Sequence, residues 1–222
     1  MTELFSQVSV SDETAESTQK VVRSYVDLMS KNPQTLATIL KLVSHGEYLY
    51  YHSIAVAIFS IFIGRALGQF NSQTLEWIGM GGFLHDIGCA QLSDEIVNSP
   101  IDLTDDQWDQ MHTHPKLGLK MLETAASIPD EVRYIVYQHH EEPGGQGYPN
   151  GISAPVIYFP ARIIGVADSF SALISKRPFR PAYSIPEALE IMRKQKGKYD
   201  QELVNLLSAL FIHRNESKKL AA

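Results

Sequence analysis

Apolar residues recur along this chain at the spacing of a helix. No segment alternates apolar and polar residues with the two-residue period of a half-buried strand. That pattern predicts helices over about 14–30, 33–43, 47–67 and 73–87. Thr104 and Gln107 form a capping box that opens a helix ending before Pro115, and further helices are expected over about 115–126 and 130–141. After these come 160–175, a helix capped by Ser184 and Glu187 that ends near Gly197, and a last helix over 201–213. Residues 89–103 read as loop-rich. Residues 142–158 carry Pro143, Gly144, Gly145, Gly147, Pro149, Gly151 and Pro155, which predicts a long irregular loop of the kind that is often functional. The fold class that follows is all-α, a compact helical bundle.

With 222 residues, of which 44% are apolar, the chain can bury one sizeable core. A net charge of -6 argues against a DNA-binding platform, which needs a basic face, but leaves room for a small anionic ligand held through bound cations. The single cysteine, Cys89, excludes an intrachain disulfide and fits a reducing compartment. The longest apolar run, 54–63, is too short to span a bilayer, and the first residues have neither a basic start nor an apolar signal core, so a cytoplasmic protein without membrane insertion is expected. The final residues, 219–222, resemble vector-derived linker, and the sequence leaves the length of the native chain open.

Against this helical background five of the eight histidines stand out: His52, His85 followed at once by Asp86, His114, and the adjacent pair His139 and His140. Asp168 follows in a segment reading VADSFSAL. A lone histidine in a helix is more often structural or exposed than a ligand. Five with two aspartates form a different pattern, because imidazole and carboxylate together suit iron, manganese, nickel, cobalt or zinc. The set exceeds what one ion needs and points to two sharing a bridging group, a device for cutting phosphoesters with the ions roughly 3.5–4 Å apart. His139 and His140 cannot share one helix face, but both can reach a broad site at a helix terminus.

At this point the chain resembles the HD-GYP phosphodiesterases, a branch of the HD metal-dependent phosphohydrolases. The matching text is HSIAVA, GGFLHDIG, LTDDQWDQMHTHPKLGLKML, QHHEEPGGQGYP and ARIIGVADSFSALISKRPFR, and the likeness covers about residues 47–211. It implies hydrolysis of cyclic di-GMP to pGpG, and on to GMP, by a hydroxide bridging two divalent ions, iron or manganese before nickel, cobalt or zinc. His52, His85, Asp86 and Asp168 would hold one ion. Asp86 would bridge to a second held by His114, His139 and His140. Asp86, His85 and Asp168 are the residues the resemblance marks as catalytic. Arg177 and Arg180 match an RPYR element and would contact phosphate or guanine. Tyr148 would stack on substrate or a partner, while Gly147 and Pro149 shape the loop. GGDEF-domain proteins are implied as partners docking on the GYP loop, and a homodimer is allowed. The chain divides accordingly into a regulatory or dimerising helical segment over 1–45, the HD-GYP phosphohydrolase domain over 46–215 and a tail over 216–222.

Three positions depart from that family. Tyr48 stands where some members carry a Glu for a third metal, one turn before His52, and Glu47 would point about 100° away, so two ions are expected. Cys89 replaces the lysine of HDIGK, which removes a positive donor and lowers the expected rate. Ser171 replaces the second Asp of DxxDA and weakens the expected support of a ligand. These departures leave two alternatives to an active cyclic di-GMP phosphodiesterase. One is a weak or inactive sensor or partner-binding module; the other is an HD phosphohydrolase for another nucleotide. His112 is expected to be exposed, and Trp77 and Trp108 to pack in or near the core.

Overall fold

The run 54–63 forms the middle of the most deeply buried helix. A computed structural model describes residues 9–31, 48–99, 101–176 and 180–219; for residues 30–31, 48–50 and 212–219 only the helical backbone is described. The expected helix over 33–43, Tyr48's side chain and Arg177 lie outside the described residues or side chains. Helix α1 spans Asp12–Lys31, α2 Tyr48–Leu67 and α3 Ser72–Leu84. A 3-10 turn follows at Ile87–Gln91, then the short α4 at Asp94–Val97, α5 at Asp105–Met111, α6 at His114–Leu122 and α7 at Asp130–Gln138. Helices α8 at Phe159–Ile174, α9 at Ile185–Lys194 and α10 at Gln201–Lys219 complete the order. Among the described residues there is no strand, only isolated bridges.

Helix α2 is apolar on every side, and Ala55, Val56, Ala57, Phe59, Ile61 and Ile63 are wholly buried. It packs against α3 and α8, which also touch each other. Phe59 meets Phe170 of α8 edge to face, with ring centroids 5.2 Å apart. Helix α7 closes over α3, α6 and α8, and α10 with α9 covers the other end of α8. The capping boxes at Thr104 and Ser184 both form as the sequence predicts. No described helix is long and apolar enough to cross a membrane.

Several boundaries differ from expectation. Helix α3 ends at Leu84, short of the expected 87, because Asp86 sits at φ −96, ψ 12 and turns the chain into the 3-10 segment. The apolar period continues through Ile87, which is why the pattern overran. The stretch 89–103 holds part of that turn and α4. Helix α7 stops at Gln138, so the histidine pair lies in the turn beyond it, and α10 runs past the expected 213. Val22, Val26 and Met29 of α1 lie in the same core as α2 and α3, and Arg23 makes a paired salt bridge to the buried Glu76 of α3, at 2.9 and 3.0 Å. Asp12 also accepts from the backbone N–H of Ser127, at 2.8 Å.

One glycine decides how the turn at 87–91 meets α6. A Cβ on Gly88 would lie 2.0 Å from the carbonyl oxygen of His114 and 2.5 Å from the amide nitrogen of Gly118. Both are backbone atoms that cannot swing aside. Gly88→Ala is therefore expected to cost about 3 kcal/mol or more, the upper end for overpacking. Urea unfolding measures it, and an unchanged midpoint would contradict this reading of the contact.

Candidate metal centre

The glycine contact sets the segment carrying Asp86 beside the start of α6, where His114 is the first residue. Three histidines there use one local device. Nδ1 of His85, of His114 and of His139 each lies 2.8 Å from the carbonyl oxygen three residues earlier, of Gly82, Met111 and Val136 respectively. A carbonyl only accepts, so in the neutral ring Nδ1 carries the proton and Nε2 turns a lone pair inward. His52 on α2 is held differently. Its Nδ1 lies 3.2 Å from the hydroxyl of Ser171 and its Nε2 2.9 Å from Oδ1 of Asp168; both partners are on α8, one turn apart.

The ligand atoms fall into two groups, each with its members within 4.8 Å of one another. One is His52, His85 and Asp168; the other is Asp86, His114, His139 and His140. Asp86 reaches both. Its Oδ2 is 3.2 Å from Nε2 of His85, while its Oδ1 is 3.3 Å from Nε2 of His114 and 3.8 Å from Nε2 of His139. His139 caps α7 with near-helical backbone, and the His139 and His140 ring centroids lie 4.1 Å apart.

These donors fit divalent cations on geometry alone. Nε2 of His114 and Nε2 of His139 face each other at 3.2 Å, and with both Nδ1 protons given to carbonyls two lone pairs meet across that gap. Nε2 of His85 is fully buried without an aligned hydrogen-bond partner. Electron pairs converging in this way call for a positive charge between them.

The protonation states of the second group agree. Burial pushes His139, His140 and His114 below the usual imidazole range, and neighbouring imidazoles add to it, so these rings are neutral as ligands must be. Burial also works against charging His85, but Asp86 and Asp168 outweigh it and raise the ring to about 9 in the metal-free chain. For Asp86 burial raises the carboxyl, yet His85, His114 and His139 hold it well below the carboxylate range. For Asp168 burial is likewise overcome, chiefly by His52. Burial, and then Asp86 and Asp168, push the Cys89 thiol up, so it stays protonated, and it belongs to neither ligand group.

The residues expected to meet substrate stand as follows. Arg180 folds back on its own helix end. Nη1 donates to the carbonyls of Leu173 and Pro181 at 3.1 and 2.8 Å, Nη2 donates to that of Ala172 at 2.8 Å, and the guanidinium lies over the Tyr183 ring. Two of these hydrogen bonds cap the last turn of α8. Tyr148 stacks on His140, with centroids 4.6 Å apart, and on His112, at 4.1 Å, so the ring lines the site. His112 is accordingly half-buried, contrary to the exposure expected of it. Trp108 is 47% exposed, and Trp77 packs against the core. A Cβ on Gly147 would lie 2.3 Å from the carbonyl oxygen of His140, so only glycine lets the loop lie against the histidine pair. Pro149 follows Tyr148 on that same stretch.

Glu141 is the residue the sequence reading passed over. It is buried, and its two carboxylate oxygens accept from the backbone N–H of Asn150 and of Ile152, at 2.8 and 2.9 Å. The loop is thereby tied to the segment that carries His139 and His140. Glu141→Ala is expected to cost about 2–4 kcal/mol, since two hydrogen bonds to a charged acceptor are lost. Thermal unfolding should record this, and limited proteolysis should cut first within 142–158. A loop that stays resistant would refute the assignment.

Comparison with known proteins follows this geometry. The HD domain family matches residues 17–203, starting inside α1. A cyclic di-GMP phosphodiesterase of Pseudomonas aeruginosa is 32% identical over 173 residues, 78% of this chain and 42% of that protein. A 3'3'-cGAMP-specific phosphodiesterase of Vibrio cholerae is 33% identical over 149 residues, 67% of this chain and 32% of that protein. The chain thus spans less than half the length of these two curated relatives. An HDG"Y"P protein from Bdellovibrio bacteriovorus shares the fold, with a TM-score of 0.79 at 20% identity, over 94% of this chain and 67% of that one. The helical order, the paired His/Asp groups and the extent of the match have one explanation: the chain belongs to the HD domain family.

Proposed function

We propose that this chain hydrolyses a phosphodiester bond of a cyclic dinucleotide, cyclic di-GMP first, with two divalent cations bound between its histidines. The observation that carries this reading is Asp86, whose two oxygens face two separate ligand groups. Cations held there would supply Lewis acidity toward the phosphate oxygens and a more acidic water. The chain's own part is to hold the donors still. Carbonyls of Gly82, Met111 and Val136 fix three rings, Ser171 fixes the fourth, and the loop tied down by Glu141 walls the site. The nitrogen and oxygen donor set, lacking a thiolate, favours iron or manganese and admits nickel, cobalt or zinc.

The substrate class rests on the relatives, which are named for cyclic di-GMP and for 3'3'-cGAMP. The test is turnover by protein loaded with iron or manganese, offered cyclic di-GMP, 3'3'-cGAMP and a linear dinucleotide, with products separated by chromatography. Metal-dependent opening of the ring to a linear dinucleotide is expected, and then cleavage to mononucleotide. Protein carrying two ions per chain that leaves every cyclic dinucleotide intact would overturn the proposal. The protonated thiol of Cys89, where the family places a lysine, favours a second reading: a cyclic dinucleotide sensor with little turnover. Equilibrium binding without product would select it.

A further inference from the structure

Four of the five clustered imidazoles are oriented by hydrogen bonds: His52 through Ser171, and His85, His114 and His139 through backbone carbonyls. His140 is the exception. Among the described residues no hydrogen bond reaches its ring, and its neighbours are other rings. The phenol of Tyr148 stacks on it with centroids 4.6 Å apart and planes 29° from parallel. His112 lies against Tyr148 at 4.1 Å and 30°. Tyr148 thus touches both imidazoles, and it also meets the His114 ring edge on, with centroids 6.1 Å apart. Outside His112 lies the indole of Trp108, at 5.6 Å and about half-exposed. A column of four rings therefore runs from solvent to a candidate ligand.

We infer that His112 is a positioning residue for the ion held by Asp86, His114, His139 and His140: it clamps Tyr148, and Tyr148 sets the plane of His140. The inference rests on the two-cation reading and adds to it a residue outside the ligand set. The role is one of stacking and needs no charge on His112. Nor is the loop's course in His112's keeping. Glu141 holds the N–H groups of Asn150 and Ile152, and the N–H of Tyr148 donates to the carbonyl of His140 at 3.1 Å. Removing the His112 ring should leave the loop backbone where it is and free the phenol to tilt. His140, with no hydrogen bond to fall back on, then loses its fixed direction. Groups that orient a metal ligand typically carry ~10–100-fold in metal affinity, and stacking alone belongs at the lower end.

The test compares the wild type with His112→Ala, which removes the ring, and His112→Phe, which restores one that cannot titrate. Manganese titration gives the number of ions and the dissociation constant of each. NMR of the metal-free proteins gives the His140 ring-proton shifts, which the facing phenol displaces. In His112→Ala one ion should bind as in the wild type, the other about tenfold more weakly, and the His140 resonances should move toward unstacked values. His112→Phe should recover both. Should His112→Ala fail to fold by circular dichroism, His112→Leu, which fills the space without a ring, takes its place. Unchanged affinities and shifts in the ringless variant, or a Phe variant no better than it, would overturn the inference. A wild type that binds fewer than two ions would instead defeat the two-cation reading. In that event the metal-free shifts still decide whether His112 orients His140.

Discussion

Asp86→Asn should lose more than about 100-fold in kcat, beyond what removing a group that merely supports a ligand costs, and should retain at most one ion per chain. The expectation comes from how the carboxylate is shared. One oxygen faces His85 and the other faces His114 and His139. An amide of the same shape keeps a single oxygen, and its NH2 cannot ligate. If the oxygen turns to His85, the second group is left with imidazoles only; if it turns to His114, the first group keeps His52, His85 and Asp168 but loses the shared carboxylate. His52→Ala is the contrast, because His52 belongs to one group only; it should spare the ion beside His114. Elemental analysis of freshly purified protein, paired with turnover, reads both variants. Two ions still bound to Asp86→Asn would show that the carboxylate does not bridge.

The parts of this centre that were legible in the sequence are those whose causes are local or carried by the family motif. The capping boxes at Thr104 and Ser184 close within four residues and form as read. The seven candidate ligands stood out as a His/Asp set, the resemblance supplied their division, and the fold brings them into two groups with Asp86 in the second. Other features depend on distant or aperiodic chain. Ser171 looked like the loss of a supporting carboxylate, yet its hydroxyl reaches His52 across 119 positions, a contact no local pattern announces. Arg180 was read as a contact for phosphate or guanine, and nothing in RPFR says that the guanidinium also reaches the last carbonyls of α8. Glu141 accepts from backbone N–H groups in a loop without period, so its partners had no signature beyond its place directly after the histidine pair. His112 was assigned to solvent because a single histidine carries no directional signal, and its stack on Tyr148 exists only once the loop is in place.

Stripping the ions with a chelator should lower the melting temperature by about 5–10 °C for each site that had been saturated. The magnitude follows from linkage. A cation that binds the native chain at about 100 times its dissociation constant adds ~2.7 kcal/mol, and a domain of this size shifts by roughly 2–4 °C per kcal/mol. The structure supplies the reason the native state should gain so much. Without cations, Nε2 of His114 and His139 confront each other at 3.2 Å, and Nε2 of His85 is buried without an aligned partner. In the unfolded chain water solvates all of these groups, and only the neighbouring pairs His85–Asp86 and His139–His140 could share an ion, too few donors to hold it tightly. Scanning calorimetry of loaded and chelated protein measures the difference, and Asp86→Asn should show at most half of it because it keeps at most one ion. A melting temperature indifferent to chelation, in protein shown beforehand to carry two ions per chain, would mean that the metal-free cluster is already satisfied, and the case for cations drawn from its converging lone pairs would fail.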